Sequence, residues 1–185
     1  MRDLLENKYL IYIIILVSYL IRYCNLEADV PFFVQTNYIV DEGGWLHNAR
    51  SKYLYDAWIT HTHDNPFYVA PGYSLLLYAS FLMGELSLYS ARLVSVLSGT
   101  LTVLVLWVYL KRNGNLRIAN SGAGFLAICG MHIIYSRLVM AEVTLTLLLM
   151  VVLLLWGERK RAGFAVLSGA VFAGMFVVKL SAIYF

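Results

Sequence analysis

Acidic and imidazole side chains gather in one stretch of an otherwise apolar chain. Residues 41–85 hold Asp41, Glu42, Asp56, Asp64 and Glu85, the His61 and His63 pair, and two of the three prolines. Asp41 and Glu42 stand just before a helical pattern, where Asp41 can cap the helix and both acids suit its positive end. The same fixed geometry, partly desolvated at a membrane surface, suits a carboxylate that takes the proton of an acceptor hydroxyl, because burial can raise its pKa. Glu142 lies about one turn inside an apolar run, five residues after Arg137. An acid at that depth needs a partner. It is either half of an ion pair with Arg137 or a second carboxylate completing a site with the loop. Lys179 is the basic residue set within the last apolar run. It either snorkels to the headgroups or, with Arg137 and a loop group such as Arg50, clamps a phosphate and stabilises the charge that develops as it leaves.

His61-Thr62-His63-Asp64 has the wrong company for a metal site, since no further ligands follow at a recognised spacing. His63 and Asp64, with Tyr73 beyond them, are assigned to substrate contact. No metal or other cofactor is assigned, and a divalent ion has no ligand pattern behind it. A phosphate-cradling glycine loop, a nucleophile elbow and a paired-cysteine zinc motif are all missing.

The frame that holds these residues is a membrane protein. The chain of 185 residues is 61% hydrophobic and 14% charged, with mean hydropathy +0.71, far from soluble usage. The net charge of +3 does not argue for nucleic acid, and the basic residues fall in short clusters that topology explains better. Cys24 and Cys129 suggest no disulfide framework. Apolar runs at 9–26, 93–110, 118–135, 138–156 and 164–185 approach the roughly 20 residues that cross a bilayer. The run at 73–83 is too short and reads as a surface or re-entrant helix. If it does not cross and the amino terminus is cytoplasmic, Arg2, Lys8, Lys111, Arg112, Arg117, Arg159, Lys160 and Arg161 all lie inside. The acidic loop and Glu142 then share the outer face.

The expectation is an all-α polytopic protein. It comprises a single module over 1–185 with five transmembrane helices and a long first outer loop at 27–89 carrying juxtamembrane helices. The first of these repeats Trp45, Ala49, Tyr53 and Ala57 at helical spacing, with Asn48, Arg50, Lys52 and Asp56 between them, as in a helix lying on the membrane surface. Arg22 is expected at the headgroup level. Small-residue faces, at Gly122 and Gly124 and at Gly169, Ala170, Ala173 and Gly174, are expected to let helices approach closely.

The order of motifs also carries a resemblance. DE at Asp41 and Glu42, then NPFYVAPGYSLLL, GELSLYSARLVSVLSGTLTVLVLWVYLKR, YSRLVMAE ending at Glu142 and VVKLSA resemble the amino-terminal half of polytopic GT-C glycosyltransferases. That group includes the dolichyl-phosphate-mannose protein mannosyltransferases, the aminoarabinose transferases acting on lipid A and the bacterial Rgt-type glycosyltransferases. The resemblance implies transfer of a sugar, with inversion, from a polyprenyl-phosphate donor to a lipid, glycan or protein acceptor. The reaction would take place at the outer face of a plasma membrane or, in a eukaryote, the endoplasmic reticulum. It carries the loop base onto Asp41, with Glu42 beside it, and the second-loop acid onto Glu142. Family members are commonly at least twice this length, so the chain is expected to be part of a larger enzyme. Two other classes compete: a piece of a transporter, with Glu142 and Lys179 as translocation residues, and a noncatalytic membrane scaffold in which Asp41 tolerates alanine.

Overall fold

A computed structural model describes residues 5–28, 41–58 and 66–184, and these are helical, without strands. In chain order the helices are α1 (Leu10–Tyr23), α2 (Asp41–Tyr55), α3 (Pro71–Met83), α4 (Leu88–Asn113), α5 (Leu116–Ile128), α6 (Gly130–Arg137), α7 (Ala141–Trp156) and α8 (Ala162–Val178). Short 3₁₀ turns occupy Pro66–Tyr68 and Leu180–Tyr184.

α4 is the hub, touching α1, α3, α5, α6 and α7. Its start is set by the Ser87 hydroxyl, which accepts from the Ser90 N–H at 3.1 Å, and its end by Gly114, with Lys111 and Arg112 in the last turn facing the negative end of the helix dipole. At 26 residues it is long and apolar enough to cross a membrane. α5 and α6 pass the same test together, as one span bent by 56°. α1, α7 and α8 are apolar but shorter, at 14, 16 and 17 residues.

Between lipid-like surfaces helices associate through close packing and polar contacts rather than hydrophobic drive. The buried face of α4 is built for that: Ser90, Ala91, Ser95, Ser98, Gly99 and Thr102. Ser98 Oγ meets Thr144 Oγ1 of α7 at 3.2 Å. A methyl group on Gly99 would lie 2.2 Å from Ser136 Oγ of α6, so only glycine lets these two helices approach so closely. The main apolar core joins Tyr73, Leu77 and Phe81 of α3 to Ala91, Val139, Ala141, Leu145, Met175 and Val178.

The bend between α5 and α6 falls at Cys129 and leaves the last carbonyls of α5 without helical partners. Arg22 of α1 supplies them. It donates to Ala127 O at 3.1 Å, Leu126 O at 3.5 Å, Ser18 O at 2.9 Å and His132 Nδ1 at 2.7 Å. Arg22 is therefore fully buried against α5 and α6 instead of facing lipid or water. The broken helix is what draws it in. Arg137 of α6 returns the service, donating to Ile21 O, Arg22 O, Cys24 O and Asn25 O at the end of α1, at 2.8–3.1 Å.

Other local readings change as well. α2 begins at Asp41 and includes Gly43 and Gly44. Its buried side carries Glu42, Asn48, Ala49 and Ser51, while Tyr53 and Leu54 are exposed, and it packs onto α3. Asp56 ends it in the left-handed region, φ 55°, and the Lys52 ammonium bonded to it holds its carboxyl below the usual range. Of the small-residue faces, Gly122 presses on Leu110, whereas Gly169 and Gly174 have nothing within 4 Å of an added methyl. α8 ends at Val178, and Lys179 is extended.

Candidate functional site

At the end of α4 marked by its first turn, four segments converge. Glu42 is 2% exposed and Arg92 fully buried. Arg92 Nε donates to Glu42 Oε1 at 3.0 Å and Nη2 to Oε2 at 2.9 Å, a bidentate pair. Arg92 Nη1 donates to Leu26 O at 2.6 Å, and the Val139 N–H, in the turn between α6 and α7, donates to Glu42 Oε1 at 2.9 Å. One carboxylate thus ties α2 to α4 and to the α6–α7 turn, and its arginine adds the end of α1. The element that fixes Asp41 is the same helix start, since Asp41 is the residue before Glu42; the Asp41 side chain is not among the described groups.

Glu142 opens α7 and is bonded to Lys179, which follows α8. Its partner is therefore Lys179 rather than Arg137. Lys179 Nζ also lies 5.0 Å from the centroid of the Trp45 ring of α2, and Trp45 meets Tyr73 of α3 edge to face, centroids 5.6 Å apart. Tyr73 is fully buried; its hydroxyl pairs with Ser95 Oγ at 3.1 Å, and Ser95 Oγ accepts from the Met140 N–H at 3.3 Å. Burial pushes the Tyr73 phenol well above its usual range, and the charges of Glu142 and Glu42 both add to that. The two acids thus flank one aromatic floor. Gly72 makes the join between α3 and α8, since a methyl there would lie 2.9 Å from Val177 O.

Beside Glu142, between α6 and α7, is a cavity of about 520 Å³ lined in part by His132, Tyr135, Met140 and Thr146. Because an arginine only donates, His132 Nδ1 accepts from Arg22 and the ring proton sits on Nε2. That Nε2 is buried without a hydrogen-bond partner, and so is Glu142 Oε2. A donor and an acceptor without partners thus lie, buried, on two residues that line one cavity.

The structure therefore brings together Glu42, Glu142, Lys179 and Tyr73. It takes Arg137 away to the carbonyls at the end of α1, and Arg50 is exposed. His61, His63 and Asp64 lie outside the described residues. Among the described residues no cluster of His, Cys, Asp and Glu could hold a metal ion. Sequence reasoning missed Arg92 and His132. The available signal for Arg92 was a lone arginine just past the first turn of a long apolar helix, which needs a counter-charge if it is not to face water.

No curated protein and no solved structure matches the chain. The sequence profile of the dolichyl-phosphate-mannose-protein mannosyltransferase family matches residues 64–185. The matched segment contains Tyr73, Arg92, His132, Glu142 and Lys179, while Asp41 and Glu42 precede it. Covering well over half of the 185 residues, and joining the α3–α8 bundle to the end where Glu142 meets Lys179, that match shows that the chain belongs to the dolichyl-phosphate-mannose-protein mannosyltransferase family.

Proposed function

We propose that this chain forms the loop-and-bundle module of a multi-pass glycosyltransferase that moves a sugar from a polyprenyl-phosphate donor to a hydroxyl of a lipid, glycan or protein. The observation that carries the reading is the convergence of Glu42, Arg92, Glu142 and Lys179 at one end of α4. In this reading α1, α4, the bent α5–α6 pair, α7 and α8 are five spans, α2 and α3 lie at the outer face, and the amino terminus is cytoplasmic.

The acceptor oxygen attacks the anomeric carbon as the bond from that carbon to the phosphate oxygen breaks, which inverts the centre. The electron pair leaves with the polyprenyl phosphate and the acceptor proton passes to Asp41. A phosphate is already a good leaving group, so a base and a cation suffice without a paired acid. Lys179 is the cation: an ammonium has three donors, and with one engaged by Glu142 the others are available to phosphate oxygens. Glu142 holds that ammonium over Trp45. Glu42, saturated by Arg92 and the Val139 N–H, is a positioning residue that fixes the start of α2 and so Asp41. A sugar hydroxyl in the cavity beside Glu142 would accept from His132 Nε2 and donate to Glu142 Oε2. Arg137, engaged by carbonyls, and Arg50, exposed, have no part in this scheme.

The transporter reading retains one observation, the bend at Cys129 with buried Arg22. Arg22 lies in the last turn of α1, four residues before the Leu26 carbonyl that Arg92 holds, and so near the site end rather than the midplane.

The test is transfer from a panel of radiolabelled polyprenyl-phosphate sugars in membranes containing the full-length protein. Wild type should transfer label from one donor class. Asp41→Asn should abolish transfer while expression and donor binding persist. A folded wild type that transfers from no donor overturns the reading.

A further inference from the structure

The opposite end of α4 carries a second built site. Asn120 of α5 is 1% exposed. Its Nδ2 donates to Leu5 O at 2.8 Å and Asn7 O at 3.1 Å, and its Oδ1 accepts from Trp107 Nε1 of α4 at 2.8 Å. The Tyr9 N–H donates to Asn7 Oδ1 at 2.9 Å. These bonds tie down the approach to α1 and bring Lys8 into one groove with Lys111 of α4. The groove is about 520 Å³. Each ammonium rests on a nearby aromatic ring, Lys8 at 5.0 Å from the centroid of Tyr9 in the turn before α1 and Lys111 at 4.6 Å from the Trp107 centroid of α4. Neither has a carboxylate partner among the described residues.

Beyond the lysines the lining is aliphatic and aromatic, with Ile11, Tyr12 and Ile15 from α1 and Leu104 and Trp107 from α4. Ile15 and Leu104 each stand seven residues from their lysine, which along α4 is two helical turns or about 10 Å. The groove is thus cationic at its mouth and apolar along its length on both walls. We propose that it binds one anionic phospholipid, with the phosphate between Lys8 and Lys111 and an acyl chain along Ile11, Ile15 and Leu104. Two ammonium groups sharing one groove repel each other, and a phosphate relieves both with charge-assisted hydrogen bonds. A zwitterionic headgroup brings its own cation into the same mouth. Free phosphate leaves the apolar walls uncovered. Basic pockets between membrane helices recognise headgroups in this manner. None of these residues belongs to the Glu142 end.

Trp107 lines the groove and reports on it. The full-length protein in mixed micelles would be titrated with phosphatidylglycerol brominated on its acyl chains, and separately with brominated phosphatidylcholine, while tryptophan emission is followed. Quenching by the anionic lipid should exceed that by the zwitterionic one, and the excess should vanish in Trp107→Phe. Lys8→Gln and Lys111→Gln should each weaken the anionic-lipid binding about fivefold, with sugar transfer and thermal stability kept. Inorganic phosphate should not displace the lipid. Equal quenching by the two lipids, or an excess unchanged in the double variant Lys8→Gln with Lys111→Gln, would overturn the proposal, and displacement by inorganic phosphate would replace it with a free-anion site. If the double variant does not accumulate, the wild type decides, since an excess that survives 1 M salt, where the Debye length is about 3 Å, is not set by the lysines.

Discussion

Arg92 and Glu42 are the pair on which the geometry of the loop depends. Removing one partner of a buried ion pair leaves an uncompensated charge, at a cost of about 3–5 kcal/mol. Arg92→Met should lower stability by that amount in chemical or thermal unfolding of the detergent-solubilised protein, and Glu42→Gln combined with it should recover part of the loss. Arg92→Lys should not rescue, because an ammonium cannot make the planar bidentate contact. Lys179 sits in a different position, half-buried beside Glu142. Hydrogen bonds to charged groups contribute about 1.5–3 kcal/mol, so Lys179→Met should weaken donor binding roughly 10- to 100-fold in an equilibrium binding assay, with little change in melting temperature. Unchanged donor affinity would mean that the lysine serves only Glu142. At this scale the sequence revealed the charges that stood inside apolar surroundings, Glu142 and Lys179, and the Asp41-Glu42 pair beside a helix start. It hid Arg22, Arg92 and His132, because an arginine at the edge of an apolar run looks the same whether it snorkels or turns inward. Which it does depends on partners about 50 to 110 positions away.

Among the elements, α4 was legible as a span, whereas its packing face of small polar residues and the break at Cys129 were not. Neither a proline nor a polar run marks it, and an apolar stretch of the right length reads as a single helix. In α2 the polar Glu42 and Asn48 are buried while Tyr53 and Leu54 are exposed, against what side-chain polarity alone predicts, because the ion pair with Arg92 satisfies Glu42 inside. The glycines separate cleanly. Gly99→Ala would force α4 and α6 apart against Ser136, and overpacking of this kind costs about 1–3 kcal/mol. Gly122→Ala meets only a Leu110 methyl at 2.4 Å, which a rotamer change can relieve, so its cost should be smaller. Gly169→Ala enters open space and should be neutral or stabilising by about 0.5–1 kcal/mol. Melting temperatures of the three variants, measured side by side, test the order.

Taken whole, the molecule has two chemically distinct ends. Arg92 and Lys111 are 19 positions apart on α4, about 28 Å at a rise of 1.5 Å per residue, close to the roughly 30 Å of a bilayer's hydrocarbon core. One end gathers Glu42, Glu142 and Lys179. The other gathers Lys8, Lys111 and the ion pair of Arg112 with Glu158 at 3.8 Å. In a background lacking Cys24 and Cys129, Tyr55→Cys and Glu85→Cys should react with an impermeant thiol reagent from one side of the membrane, and Gly114→Cys and Lys160→Cys only from the other. Labelling of position 85 and position 114 from the same side would dismantle the shared-face scheme. The division into ends was readable from the basic clusters.

The arginine that closes α1 has a consequence for how the protein is made. Four carbonyls at the end of the first helix are satisfied by Arg137, between 112 and 116 residues later in the chain. At a synthesis rate of about 5–20 residues per second, the first helix leaves the ribosome roughly 6 to 23 seconds before its cap exists. During that interval its end must stay in contact with water or with the insertion machinery. The first helix is thus inserted early but finished late, and its final depth is settled only when the sixth arrives.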